Sequence, residues 1–232
     1  MLVLAADGSI PSAISSLLLE FGVSLPADKG TVIIDHFEHD TISAAETHDV
    51  LILPRPSTLS GRKNFFGGEG YVAFPRAVAQ TLGNETPLLD AIISAKNTAY
   101  TYNPKDEKDM SEDPFAVGSQ IALVSTVQAR NSARFTVFGS LEALEDKWFD
   151  ANIKLSTSKK VKSANRDFAK QVSSWAFKET GVVKVQSVSH YLTEHTNIAR
   201  NTSIEQAKSL SPRIYRVKND VVSVMRSGQY LR

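Results

Sequence analysis

A chain of 232 residues with 42% hydrophobic and 22% charged side chains carries enough apolar material for a packed core, which excludes wholesale disorder. Its 26 basic and 25 acidic residues leave a formal net charge of +1, without the concentrated basic excess of a nucleic-acid binder. Cysteine is absent, so disulfides, thiolate nucleophiles and cysteine-ligated zinc are excluded together.

No apolar run approaches the roughly 20 residues of a spanning helix. The opening "MLVLAAD" lacks the basic lead of a signal peptide and meets Asp7 too soon. Because the chain opens as if in mid-strand, it reads as a fragment. "LVLAA" predicts a short buried strand. In "GSIPSAISSLLLEFG", Ile14, Leu17, Leu18 and Phe21 fall at helical spacing, with Pro11 near the start and Gly22 past the end, which predicts an amphipathic helix. Gly30–Phe37 and Val50–Leu53 read as strands, and "PRPSTLSG" as a turn-rich stop. "YVAF" predicts a strand and "AVAQTLG" a short helix. "LLDAIISA" and "TAYTY" read as two strands, or as a pair around Lys96–Asn97.

Residues 103–116 are polar and bounded by proline, as in a solvated loop. Two strands follow, "QIALVSTVQ" and "RFTVFGS", separated by "ARNSA". A helix is expected over 141–149 and a basic loop over "KLSTSKKVKS". In "NRDFAKQVSSWAFKETG", Phe168, Val172, Trp175 and Ala176 share one helical face and Gly181 marks the stop. "VVKVQSVSH" reads as a strand, and the alternating "RIYRVKNDVVSVM" as the start of further β-structure. The order of elements fits an α/β sheet domain over 1–188, followed over 189–232 by the start of a truncated β-rich domain.

Several constellations invite chemistry. Gly139–Ser140 ends a strand where many α/β enzymes hold a nucleophile. A nucleophile elbow needs glycine two residues before and two after the serine, and Phe138 and Glu142 stand there instead. Ser140 reads better as a helix cap, with Glu142 in the first turn. Glycine-rich Ser60–Tyr71 lacks the lysine of a phosphate loop, and Ala73 replaces the third glycine of a dinucleotide fingerprint, so a flexible loop is expected. "DHFEHD" (Asp35–Asp40) offers His36 and His39, but on a strand their spacing puts them on opposite faces, so a solvated strand end is expected. His48, His190 and His195 are scattered. Lys159, Lys160 and Lys162 read as a solvated loop. Asn84 and Asn201 begin N-glycosylation acceptor triplets. Trp148, Phe149, Trp175 and Phe177 read as core. No catalytic set, metal site or cofactor site emerges.

The ordered set Gly118–Ser119, Gln128, Asn131, Ala133–Arg134, Gly139–Ser140, Phe168–Ala169, Trp175, Phe177, Glu179, Val183, Val185 and Ser189–His190 resembles the WBP-type beta-subunit family of the endoplasmic reticulum oligosaccharyltransferase. "LVLAADGSIPSAISSLLLEFGV" and "GTVIIDHF" are similar to the family's upstream strand–loop–helix and next strand. The resemblance implies a three-layer α/β sheet domain similar to glutamine-amidotransferase and flavodoxin-like folds. It further implies a luminal fragment of a single-pass membrane protein, anchored by a C-terminal helix beyond this chain. A non-catalytic scaffold is implied, without cofactor. Its partners would be other oligosaccharyltransferase subunits, including a catalytic multi-spanning subunit and a ribophorin-like one, and no nucleic acid. The structural motif residues would be Gly118, Ser119, Gln128, Asn131, Arg134, Gly139, Ser140 and Trp175. Two alternatives stay open: a hydrolase or amidotransferase using Ser140 with a distant histidine, and a module binding a glycan or lipid phosphate at its strand ends.

Overall fold

Strands that are apolar on both faces have to lie between two packed layers, and the sequence "VII" at 32–34 and "VLIL" at 50–53 has that character. In the computed structural model Ile33 enters one buried cluster while Val32 and Ile34 enter another, and Leu51 and Leu53 separate from Val50 and Ile52 in the same way. The structure describes residues 1–8, 10–40, 48–56, 65–83, 87–103, 113–157 and 159–182. All of these except Val182 lie in the unit Met1–Gly181.

In chain order the unit holds β1 (Leu2–Val3), α1 (Ser12–Glu20), β2 (Val23–Ser24), β3 (Val32–Ile34), β4 (Val50–Pro54) and β5 (Tyr71–Pro75). Next come β6 (Thr81–Leu82), β7 (Leu89–Ser94), β8 (Tyr100–Tyr102), β9 (Ala122–Gln128) and β10 (Arg134–Phe138). Then follow α2 (Asp146–Phe149), β11 (Asn152–Lys154), β12 (Lys160–Lys162) and α3 (Asn165–Ala176). A four-stranded sheet has the order β1-β10-β9-β7. β1 runs parallel to β10, with Leu2 opposite Val137, and the other two ladders are antiparallel. The remaining strands pair antiparallel as β2–β6, β3–β8, β4–β5 and β11–β12. The domain is therefore mixed α/β, and among the described ladders parallel pairing is confined to β1–β10.

The two longer helices cover different clusters. Leu18 of α1 is buried with Leu4, Val32, Ile34 and Val137. Phe168, Val172 and Trp175 of α3 are buried with Ile33, Phe66, Phe74 and Phe138, and each such side chain contributes about 1.5–3 kcal/mol. Period 3.6 gave both helices correctly, but Leu17 of α1 is 45% exposed. It lies beside the buried stripe rather than in it.

Three expectations differ from the structure. Ala77–Gly83 is extended, not helical: Gln80 exchanges two backbone bonds with Ala122, and Val78 N–H donates to the Gly139 carbonyl at 2.7 Å. Ala77, Val78, Ala79 and Gln80 are all buried. A short segment enclosed on every side satisfies its backbone by cross-strand bonds, whatever its helix propensity. The helix over 141–149 is broken into a 3₁₀ turn, Glu142–Leu144, and the single turn α2. The basic "loop" contains the β11–β12 hairpin, with Lys160 and Lys162 on its exposed side. Of the two readings of "LLDAIISA" and "TAYTY", separate strands holds: β7 joins β9 and β8 joins β3. The expected strand over 182–190, apart from Val182, and the β-rich segment 189–232 lie outside the described residues. Among the described residues no helix is long and apolar enough to cross a membrane.

Candidate functional site

The turn after β10 is where an α/β enzyme would place its chemistry, and its own backbone fills it. A Cβ on Gly139 would lie 2.7 Å from the Leu123 carbonyl oxygen and 2.9 Å from that of Val78, so only glycine passes between those strands. Ser140 is buried, and its hydroxyl donates to the Pro75 carbonyl while its Oγ accepts the Ala143 N–H at 3.3 Å. The formal cap of the 3₁₀ turn, Leu141, makes no side-chain bond, and Ser140 caps it from one residue earlier. Glu142 is held from outside by Arg76, which also reaches Asp7 at 2.8 Å in the loop after β1. The Glu142 hydrogen bond is the main cause that raises the Arg76 pKa.

The other motif residues pin α3 to the hairpin. Arg134 Nη1 donates to the carbonyls of Trp175 at 2.9 Å and Thr180 at 2.6 Å, and Nη2 donates to that of Gly181. Its guanidinium stacks 4.7 Å from the Trp175 ring centroid. Burial pushes the Arg134 pKa down, and the ion still caps the carbonyl end of the helix. Asn131 Oδ1 accepts the Ala133 N–H at 3.0 Å within the β9–β10 turn, and Gln128 ends β9. Gly118 takes φ 58° where a Cβ would meet Asn97, and Ser119 beside it is exposed. Trp175 is fully buried against Phe66, ring centroids 5.7 Å apart. Phe177, expected in the core, is 69% exposed because it follows the last turn of α3.

The described part of the glycine-rich loop, expected to be flexible, is clamped. Buried Arg55 donates through Nη2 to the Gly67 carbonyl at 3.1 Å and to Gln171 Oε1 at 2.6 Å, and a Cβ on Gly68 would strike its Cζ at 2.3 Å. The glycines make room for a guanidinium of the chain itself, a role that leaves no phosphate-loop signal in the sequence. At the end of β1 a cleft is lined by Gly8, Ile10, Pro26, Asp28 and Lys29 among others. Its adjacent acid and base offer no net charge to a phosphate.

The histidines behave unlike the expectation. β3 stops at Ile34, so strand alternation does not govern His36 and His39. Asp35 Oδ1 accepts the N–H groups of Phe37 at 2.9 Å and Glu38 at 3.2 Å, and Oδ2 accepts the Thr98 hydroxyl at 2.7 Å. That turn brings both imidazoles to the ring of His48: His36 at a centroid distance of 4.8 Å, His39 stacked at 4.1 Å. Asn84, Asn201, His190 and His195 lie outside the described residues.

Fold and turns together define a mixed α/β domain whose strand-end turn is filled by its own backbone and whose glycine-rich segment, where described, is clamped by Arg55. The family model described as "OST48, N-terminal domain" matches residues 1–179, and the chain belongs to that family. It is 29% identical over 225 residues to the dolichyl-diphosphooligosaccharide–protein glycosyltransferase 48 kDa subunit of Arabidopsis thaliana, covering 95% of this chain and 47% of the relative. Against the Danio rerio protein of the same name the identity is 31%, covering 82% and 43%. The chain thus spans less than half the length of these relatives. Among solved structures the mmIFT52 N-terminal domain aligns with a TM-score of 0.46 at 14% identity, covering 78% of this chain and 65% of that one.

Proposed function

We propose that the chain is the non-catalytic, luminal part of an oligosaccharyltransferase subunit in the endoplasmic reticulum. Its work is to hold neighbouring subunits while a different, multi-spanning subunit transfers the dolichyl-diphosphate-linked oligosaccharide to Asn-x-Ser/Thr. The family match over residues 1–179 carries this reading, and the relatives' names supply the complex. The non-catalytic part rests on Ser140, whose hydroxyl is bonded into Pro75 instead of facing a base. A ribophorin-like partner, a C-terminal membrane helix in the whole protein and kinship with glutamine-amidotransferase-like folds belong to the same proposal. The strand–loop–helix over residues 2–20 and the parallel β1–β10 pair support that kinship.

The test uses the whole protein in cells depleted of their own copy. Ser140→Ala should leave both the co-purified complex and the occupancy of Asn-x-Ser/Thr acceptors intact. Deleting residues 118–190 should remove the partner subunits. An assembled Ser140→Ala complex that fails to glycosylate would overturn the non-catalytic reading, and intact assembly after the deletion would overturn the scaffold.

A further inference from the structure

His36 and His48 bring their Nδ1 atoms to 2.5 Å, closer than an ordinary N–H hydrogen bond. One imidazole donates its Nδ1–H to the lone pair of the other, and a metal ion in place of that proton would meet the same two nitrogens. On its far side, His36 Nε2 stands 2.9 Å from the Tyr100 hydroxyl. With Nε2–H donating to that oxygen, Nδ1 carries the lone pair, the arrangement by which an outer partner orients a metal-ligating histidine. His39 stacks on His48 and steadies its ring. Asp35 holds the turn from behind, and Glu38 pairs with Lys96 at 2.6 Å. The segments 35–40 and 48–49 contribute Asp35, Glu38, Asp40 and Asp49, of which Lys96 offsets Glu38, so the balance of the surroundings is still acidic.

We propose that His36 and His48 form a binding site for a divalent transition metal, with zinc the reference ion, through their Nδ1 atoms. Imidazole suits zinc, nickel and copper, and rejects magnesium and calcium, which take oxygen ligands. Zinc–nitrogen bonds of about 2.0–2.1 Å at a tetrahedral angle set the nitrogens about 3.4 Å apart. Opening the pair by about 0.9 Å requires only a small rotation of His36, whose side chain is exposed. No group of three or more His, Asp or Glu side chains among the described residues forms a complete centre. Two nitrogens with water completing the shell are therefore the geometry proposed. The site is independent of the subunit reading, since it lies on a different turn from the motif residues.

Calorimetric titration of the 232-residue chain with zinc chloride at pH 7.5, repeated at pH 5.5, tests it. Saturable binding of one zinc is expected, weakened at least tenfold by His36→Ala or His48→Ala. It should also weaken at the lower pH, as protons compete for the nitrogens. Zinc should raise the melting temperature of the parent chain and not that of either variant, whose zinc-free melting curves show that they fold. His190→Ala/His195→Ala should bind like the parent. Absence of saturable binding would mean that a shared proton alone bridges the pair and would overturn the site. So would binding unchanged by both single variants, or binding lost in the double variant.

Discussion

Two turns end strands in this domain and start from the same device, a side-chain oxygen that accepts backbone N–H groups. After β10 the oxygen is Ser140 Oγ, and what it faces is the carbonyl of buried Pro75. After β3 the oxygen is Asp35 Oδ1, and the turn it shapes carries His36 and His39, with the Tyr100 hydroxyl of β8 against His36. The comparison teaches that a strand end becomes available for chemistry by what stands opposite it, not by its capping residue. Ser140 has a polar group of its own chain at contact distance. The imidazoles of His36 and His48 meet each other on a turn where His36 is exposed.

Variants can break or sharpen that contrast. The largest effect is expected of Trp175→Ala, which empties the space between α3 and Phe66 and should cost about 3–5 kcal/mol in denaturant unfolding. Gly139→Ala comes next, since its Cβ would press on two backbone carbonyls that cannot swing away. A loss of about 1–3 kcal/mol is expected, and a neutral result would show that the turn after β10 has room to spare. Ser140→Ala leaves the buried Pro75 carbonyl without its donor and should cost about 1–2 kcal/mol. On the open turn the equivalent truncation, His36→Ala, should stay within about 0.5 kcal/mol in zinc-free buffer. A loss as large as that of Ser140→Ala would make the histidine turn structural.

The smallest effect concerns pH. Hydrogen bonds from Lys162 first, then Arg166, hold the exposed Asp150 carboxyl below its ordinary pKa of 3.8. A depressed carboxylate stabilises the fold above its unfolded pKa and loses that contribution as pH falls through the folded one. Asp150→Asn should therefore lower the melting temperature slightly at pH 7 and low salt. The difference should shrink as the pH falls through the depressed pKa, and also in high salt, because exposed pairs are screened.

Much of this was legible in the chain. The 3.6-residue spacing of Phe168, Val172 and Trp175 located α3, since a helix shows one face whatever packs on it. The failed elbow at Phe138 and Glu142 already argued that Ser140 caps a turn, and the structure adds the Pro75 bond. Ala77–Gln80 escaped because a short apolar segment has the same composition whether strands enclose it or a helix carries it; its bonds to Ala122 and Gly139 decide. The histidine pair escaped for a related reason. Alternation predicts faces only while the strand continues, and β3 ends two residues before His36.

By itself, then, the sequence determined the mixed α/β class, the two longer helices and the family, because these depend on local periodicity and on residue order. Only the tertiary structure decided which glycines admit a guanidinium, which serine is sealed by a distant carbonyl, and that residues 36 and 48 meet. Those contacts join positions 12 to 116 residues apart. Their energies depend on distance and burial, which no spacing along the chain encodes.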